Sequence, residues 1–304
     1  MKPMKRIQKG ILAVLFCLVA MLFFLGVVWA TYDDGSGHRF EQTNFEMALL
    51  PPEWLGSEGG ERFIFGTDQL GRDLFARCLV GGALSLGIGL FAALIAVCAG
   101  TLWGTIAAIR GGLWDTAMMR IVDILYGLPS IMLVVLISVA TSTLVVNKNE
   151  SWVSEEVVNV VALFTAIGFV SWLTVSRVIR GQVKSVVTRP SLQACKVIGV
   201  SPFRTFTHHI FPAILGPIIV YATLTIPAAM LSEAFLSFLG IGIREPLPSW
   251  GNLASDGLSQ LNPVHSRWWL LFWPCFCIAS TLIVMNWMGN KLRVRLDPTL
   301  RMST

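Results

Sequence analysis

Six stretches of this chain are apolar over about 20 residues, the length a helix needs to cross the hydrocarbon core of a bilayer. They are 11–30, 83–109, 118–145, 157–175, 214–239 and 268–287, the last interrupted by Pro274 and Asn286. Lipid offers backbone N–H and C=O groups no partner, so each run is expected to be a helix. The composition agrees: 54% of residues are hydrophobic and only 13% are charged, whereas a soluble domain carries about 25% charged residues. The expected fold class is therefore all-α, a polytopic membrane bundle of six transmembrane helices.

Lys2, Lys5, Arg6 and Lys9 precede the first run. A basic start before an apolar run also describes a signal peptide. This run exceeds the roughly 7–15 residues of a signal core and no small-residue cleavage site closes it, so it reads as a retained helix.

Charge sets the expected orientation. Lys and Arg concentrate on the cytoplasmic side of membrane proteins. Here they gather in 1–10, in 110–117, in 176–213 and in the C-terminal tail, where the only acids are Asp115 and Asp297. Segments 31–82, 146–156 and 240–267 hold most of the acids. Both termini are thus expected inside. The net charge of +5 follows from this topology and needs no nucleic acid to explain it. The resulting division is a cytoplasmic N-terminus (1–10), a first transmembrane helix (11–30), an outer segment (31–82), a five-helix transmembrane domain (83–290) and a cytoplasmic tail (291–304).

Several residues within the spans carry a choice of readings. Ala92, Ala96, Gly100, Gly104 and Ala108 recur every four residues, a stripe that lets another helix approach closely. It suits either a gate or subunit contact, or ordinary packing within the bundle. Asp123 and Glu233 lie inside runs, where a carboxylate is costly and marks a functional candidate. Asp123 has Arg110 and Arg120 near the same membrane face as structural partners; Glu233 has no cation close in sequence. Pro129, Pro217, Pro227 and Pro274 are expected to kink helices. The six cysteines, Cys17, Cys78, Cys98, Cys195, Cys275 and Cys277, form no CxxC pair and read as small hydrophobes, with neither a disulfide framework nor a metal site expected.

The basic loop 176–213 has internal punctuation. After Pro190, residues 191–198 read as a short helix with Ser191 as cap and Gly199 as stop. Ser201-Pro202 reads as a second helix start, with Pro at the first helical position. Two short helices along the inner membrane face make a projecting knob.

Gln193-Ala194-Cys195, Gly199 and Pro212 match the spacing of the Glu-Ala-Ala motif of ABC importer permeases: Glu-Ala-Ala, three residues, glycine, and proline thirteen residues later. Gln193 and Cys195 depart from it. The chain resembles in particular the dipeptide, oligopeptide and nickel branch. "FGTDQLGRDLFAR" (65–77) is similar to its GTD-x-x-GRD-x-x-x-R segment, "HHIFP" (208–212) to RHILP, "EAFLSFLGIGIREPLPSWG" (233–251) to EAxLSFLGLGxxPPxPSWG, and "LRVRLDPTLR" (292–301) to LRDxLDPRLR. The likeness runs from about Phe65 to Arg301; the acidic segment 31–62 matches no such motif.

The resemblance implies a peptide-importer permease of the bacterial inner membrane, without chemistry of its own. Its partners would be a second permease, two cytoplasmic ATPases that bind ATP and magnesium, and an extracytoplasmic binding protein. It implies that Gln193, Ala194, Cys195, Lys196, Gly199 and Pro212 belong to an ATPase-coupling loop. No cofactor or metal is expected on this chain. The sequence agrees in holding no G-x-x-x-x-G-K-[ST] phosphate loop. The rival is an ion-coupled transporter or channel using Glu233 and Asp123.

The outer motif, Gly66, Thr67, Asp68, Gly71, Arg72, Asp73 and Arg77, remains to be placed. Asp73 and Arg77 are four apart, a favoured helical pair. Residues 72–81 therefore read as a short amphipathic helix on the outer face, either a brace or part of the surface that receives the binding protein.

Overall fold

The computed structural model describes residues 24, 27–32, 40–55, 63–146, 155–262 and 266–296. The expected first span and both chain ends lie largely outside these residues.

The described helices are α1 (Leu74–Arg110), α2 (Gly112–Tyr126), α3 (Ser130–Val146), α4 (Glu155–Val187), α5 (Pro190–Val197), α6 (Pro202–Thr205), α7 (Phe211–Phe238), α8 (Trp250–Ser259) and α9 (Trp269–Leu296). A π-turn, Phe206–Ile210, joins α6 to α7. Four of these are long and apolar enough to cross a membrane, and five if α2 and α3 together make one bent span. The class is all-helical as expected, among the described residues.

Three boundaries differ from the sequence reading. The short helix expected over 72–81 is not separate: α1 starts at Leu74 and runs unbroken for 37 residues. Asp73 starts it, its Oδ1 accepting from Phe75 N at 2.9 Å, a helix N-cap. The single span expected over 118–145 is broken, α2 and α3 meeting at 93°. Pro129 supplies no N–H and disfavours a helical Leu128 before it, which ends α2 at Tyr126. Finally, α4 does not stop near 175. Its 33 residues are about 50 Å long at 1.5 Å per residue, so 176–187, read as loop, is helix.

The chain divides into two compact units. One comprises 1–84, 237–240 and 244–277; the other comprises 85–236, 241–243 and 278–304. In the first unit, the early turns of α1 pack with α8 and the start of α9. Leu74, Cys78, Leu253, Trp269 and Leu270 form its apolar cluster. Trp250 Nε1 donates to Cys78 O at 2.8 Å. Helix α8 is capped by Ser249, which accepts from Asn252 N while Asn252 answers to Ser249 N, a reciprocal box. The sequence reading assigns no element here.

In the second unit, α1 lies against α4. Gly168 meets Ala92, Gly100 meets Val175, and Gly104 meets Ser176 and Arg180. Contact positions rise together along both helices, so α1 and α4 run parallel. Gly89 meets Ile226 and Met230, whereas Leu102, Thr105 and Ile109 line a pocket with Phe211 and Ile218, so α7 runs the other way. The alternating small residues thus serve packing within the bundle, with Ala92 and Ala96 fully buried. A Cβ on Gly104 would lie 2.4 Å from Ser176 O.

That approach is tested by Gly104→Ala, which should destabilise the purified protein by about 1–3 kcal/mol through overpacking. Gly181→Ala, in a helix with nothing within 4 Å of the added Cβ, should be neutral or slightly stabilising. Thermal unfolding in detergent reads both; equal melting points would refute the packing argument.

Candidate functional site

The outer motif forms a fixed corner. Gly66 (φ +83) and Gly71 (φ +73) have left-handed backbones. Each is also crowded: an added Cβ would lie 2.5 Å from Leu50 O at Gly66 and 1.8 Å from Asn44 O at Gly71. Only glycine suits both demands. Thr67, fully buried, donates to Met47 O at 2.6 Å and accepts from Leu50 N at 2.8 Å. The segment around 44–50 is thereby stitched to 66–71.

Inside that corner sits a charge cluster. Asp68 Oδ1 accepts from Leu70 N and Arg72 N, and its Oδ2 pairs with Arg72 Nε at 2.6 Å. Arg77 is fully buried. Its Nε lies 3.7 Å from Asp68 Oδ2 and its Nη2 lies 3.3 Å from Glu245 Oε1. Arg72 Nη2 reaches the same Glu245 oxygen at 2.9 Å. Both buried guanidiniums are thus paired with carboxylates, as buried charge requires, and Asp256 adds a third carboxylate to the field around them. The network is wider than the Asp73–Arg77 pair read from the sequence, and Asp73 serves as a helix cap within it. Glu245 was missed. It stands in the "EPLPSWG" stretch, where the family pattern has proline, and nothing local announces a partner so distant in sequence.

The inner knob is built by punctuation. Pro190 occupies the first turn of α5 and Arg189 O accepts from Leu192 N and Gln193 N, so Ser191 lies within the helix and is not its cap. Gly199 (φ +78) ends it, with Val200 N returning to Cys195 O at 3.0 Å. Ser201 Oγ accepts from Arg204 N at 3.4 Å and starts α6. The second helix is not a separate short one, since α6 continues through the π-turn into α7. Pro212 explains the π-turn: it has no N–H, and its ring crowds the carbonyl four residues back, so the ladder widens just before it. Gln193 and Ala194 are exposed, and Cys195 is half-buried. At the tip, Val197, Ile198 and Phe203 are 88%, 78% and 77% exposed.

The membrane carboxylates are separated. Asp123 is exposed and pairs with Arg177 at 2.8 Å, not with Arg110 or Arg120. That guanidinium lies 4.1 Å from the centre of the Tyr126 ring. Glu233 is fully buried. The second unit also holds a cavity of about 390 Å³ whose wall includes Tyr126, Ser130, Ser171, Thr174, Ser232 and Leu236. Neither carboxylate lines it. Asp115, unremarked in the sequence beyond its charge, is buried and clamps α2 to α4 through Arg180 and Lys184.

Among the described residues no group of three or more His, Cys, Asp or Glu is placed to hold a metal ion. Three comparisons bear on the arrangement. Residues 100–302 match the model of a family described as binding-protein-dependent transport system inner membrane component. The chain is 35% identical over 300 residues to the dipeptide transport system permease protein DppC of Bacillus subtilis (strain 168), covering 98% of this chain and 85% of that one. It is 38% identical over 294 residues to the oligopeptide transport system permease protein OppC of Escherichia coli (strain K12), covering 97% and 89%. Among solved structures, inward facing conformations of the MetNI methionine ABC transporter share the fold. One has a TM-score of 0.56 at 14% identity and covers 73% of this chain and 96% of that one.

Removing the buried cation tests the outer cluster. Arg77→Met leaves Asp68 and Glu245 one guanidinium for two carboxylates and should cost about 3–5 kcal/mol, the usual penalty for breaking a buried pair. Glu245 has a 53% exposed side chain, so Glu245→Gln should cost under about 1 kcal/mol. Yield and thermal unfolding of the solubilised protein measure both. A milder effect at Arg77 than at Glu245 would contradict the assignment.

Proposed function

The chain belongs to the family of binding-protein-dependent transport system inner membrane components, and we infer from that premise that it is a permease subunit of an ATP-driven peptide importer. It is a multi-pass protein of the bacterial inner membrane and not an enzyme. ATP hydrolysis belongs to separate ATPase subunits on the cytoplasmic side, which take up the nucleotide and magnesium; a substrate-binding protein delivers cargo from outside. A second permease completes the path.

The observation that carries the coupling role is the exposed apolar tip of the knob. Val197, Ile198 and Phe203 stand almost free of the chain on two capped helices separated by Gly199. Exposed apolar groups gathered at one rigid place mark a protein contact. The family motif over Gln193, Ala194, Cys195, Lys196, Gly199 and Pro212 points to the same contact. Gln193 keeps the length of the motif's glutamate without its charge, so docking here rests on apolar fit and hydrogen bonding. When the ATPases close, the knob moves as a rigid body. It is continuous with α7 through the π-turn, so its displacement passes directly into a membrane span.

The finer topology is six spans with both termini cytoplasmic, 31–82 outside and 176–213 inside. The parallel course of α1 and α4 supports it, because two parallel spans require one crossing between them, which the bent α2–α3 pair supplies. The cavity beside Tyr126 and Ser232 fits one half of a translocation path, its hydroxyls suited to the peptide bonds of cargo. Glu233 then acts from behind that wall. The ion-coupled alternative is weakened by Asp123, whose charge is already matched by Arg177.

Replacing Val197, Ile198 and Phe203 together by Asp tests the coupling role. These side chains pack little against the chain, so insertion and folding should be retained. Retention of the ATPase through affinity purification should fall at least about ten-fold, which corresponds to 1.4 kcal/mol or more. Undiminished retention would remove the knob from the interface.

A further inference from the structure

The ion pair of Asp123 and Arg177 differs from the other charge contacts of the second unit. Asp115 is buried in its clamp, whereas the side chains of Asp123 and Arg177 are 54% and 37% exposed. Asp123 falls inside the apolar run 118–145, and Arg177 directly follows the run 157–175. A charge left facing lipid tails at such a place is costly, so this face of α2 and α4 meets water or protein. Stability does not explain the pair, since exposed ion pairs contribute little.

The pair adjoins the cavity of the second unit. Tyr126 and Thr174 belong to the cavity wall, and Asp123 and Arg177 lie one turn from them on α2 and α4. The Arg177 guanidinium reaches the wall itself, 4.1 Å from the centre of the Tyr126 ring. Among the described residues the wall carries the hydroxyls of Ser130, Ser171, Thr174 and Ser232 and no charged group. Its volume of about 390 Å³ falls in the range of small-ligand sites, about 300–1,000 Å³. The guanidinium also has donors to spare. Its Nη2 donates to Asp123 at 2.8 Å, but its Nε is buried and makes no hydrogen bond. A guanidinium presents a planar fork that fits a carboxylate through two N–H groups at once, and Asp123 takes one.

We propose that Arg177 receives the C-terminal carboxylate of a peptide cargo at the rim of this cavity, and that Asp123 is the carboxylate that the cargo displaces. The assignment rests on the reading of the cavity as part of the peptide path. The exchange is carboxylate for carboxylate, so the guanidinium is matched in both states. A zwitterionic peptide brings one charge of each sign and leaves the net charge of the site unchanged. Tyr126 supports the guanidinium plane throughout. Asp123 is tethered beside its target, so it competes at a high effective concentration. Cargo binding stays weak enough to be reversed, as passage through the membrane requires.

The test is competition for uptake into proteoliposomes that hold the whole transporter, with MgATP and the binding protein supplied. Trialanine and trialanine amide, differently labelled, are given together in equal amounts, and the ratio of acid to amide taken up is measured. The binding protein's own preference is common to every permease variant and cancels. Arg177→Gln should lower the ratio at least about five-fold. Asp123→Asn, which removes the competitor, should raise it at least about two-fold. Arg177→Lys, which keeps the charge without the fork, should fall between wild type and Arg177→Gln. A pair that only braces α2 against α4 would slow both peptides alike. An unchanged ratio in Arg177→Gln, or a shift in the same direction in Arg177→Gln and Asp123→Asn, therefore overturns the proposal. Where Arg177→Gln fails to assemble, Asp123→Asn decides, and a ratio at or below that of wild type overturns it. Uptake of neither peptide by the wild-type transporter is a different failure, which removes the peptide reading of the cavity and this assignment with it.

Discussion

The membrane half of this protein depends on how closely α1 and α4 approach. Helices in lipid gain no hydrophobic driving force from meeting, because the lipid tails are equally apolar; van der Waals contact and interhelical polar bonds must hold them. Here the contact is nearly backbone to backbone. Gly100 faces the Trp172 carbonyl and Val175, Gly104 faces Ser176 O and Arg180 N, and Gly168 faces Ala92 O. Around that seam Val175, Ile179, Val183 and Ile214 fill the core with Ala96, Ala107 and Ala108. Asp115 adds a charge clamp where the helices leave the apolar region, joining α2 to the same stretch of α4. The long α4 is therefore both a span and the post on which the inner knob is mounted.

Departures from helical regularity carry the rest of the design. Pro129 breaks a would-be span and turns α3 away from α2 at 93°. Pro212 forces one π-turn between knob and span. In the first unit Gly66 and Gly71 allow two stretches of irregular chain to approach within bonding distance, and the Asp68–Arg72–Arg77–Glu245 cluster fills the corner they make. That cluster contains acids and guanidiniums but no nucleophile beside a base. Its chemistry is positional.

Much of this was legible in the sequence, and the limits have physical causes. The apolar runs at 83–109, 157–175, 214–239 and 268–287 each mark a helix, because lipid leaves the backbone no alternative. Their ends were misplaced wherever a helix continues into water. Hydropathy registers the lipid, not the helix, so α4 past Val175 was invisible, and the start of α1, read from its charges as a helix over 72–81, could not be joined to the span that follows. The knob was readable because Pro190, Gly199 and Ser201-Pro202 act locally. The π-turn was not foreseen, although Pro212 was its signal. The outer cluster was half readable: Asp68, Arg72 and Arg77 stood out as a charged segment, but Glu245 is joined to them only by the fold. The same holds for Asp123, whose partner is Arg177 on another helix. No spacing rule connects residues that far apart.

The central claim is that this chain converts ATPase closure into peptide movement and holds no energy source of its own. Uptake of a labelled peptide into proteoliposomes tests it directly. The complex contains this permease, its partner permease and the ATPases, with the binding protein supplied on the outer side. Uptake that requires MgATP on the ATPase side together with the binding protein, and that an imposed proton or sodium gradient alone does not drive, is the predicted result. Sustained uptake driven by an ion gradient with nucleotide and binding protein both absent would contradict the account.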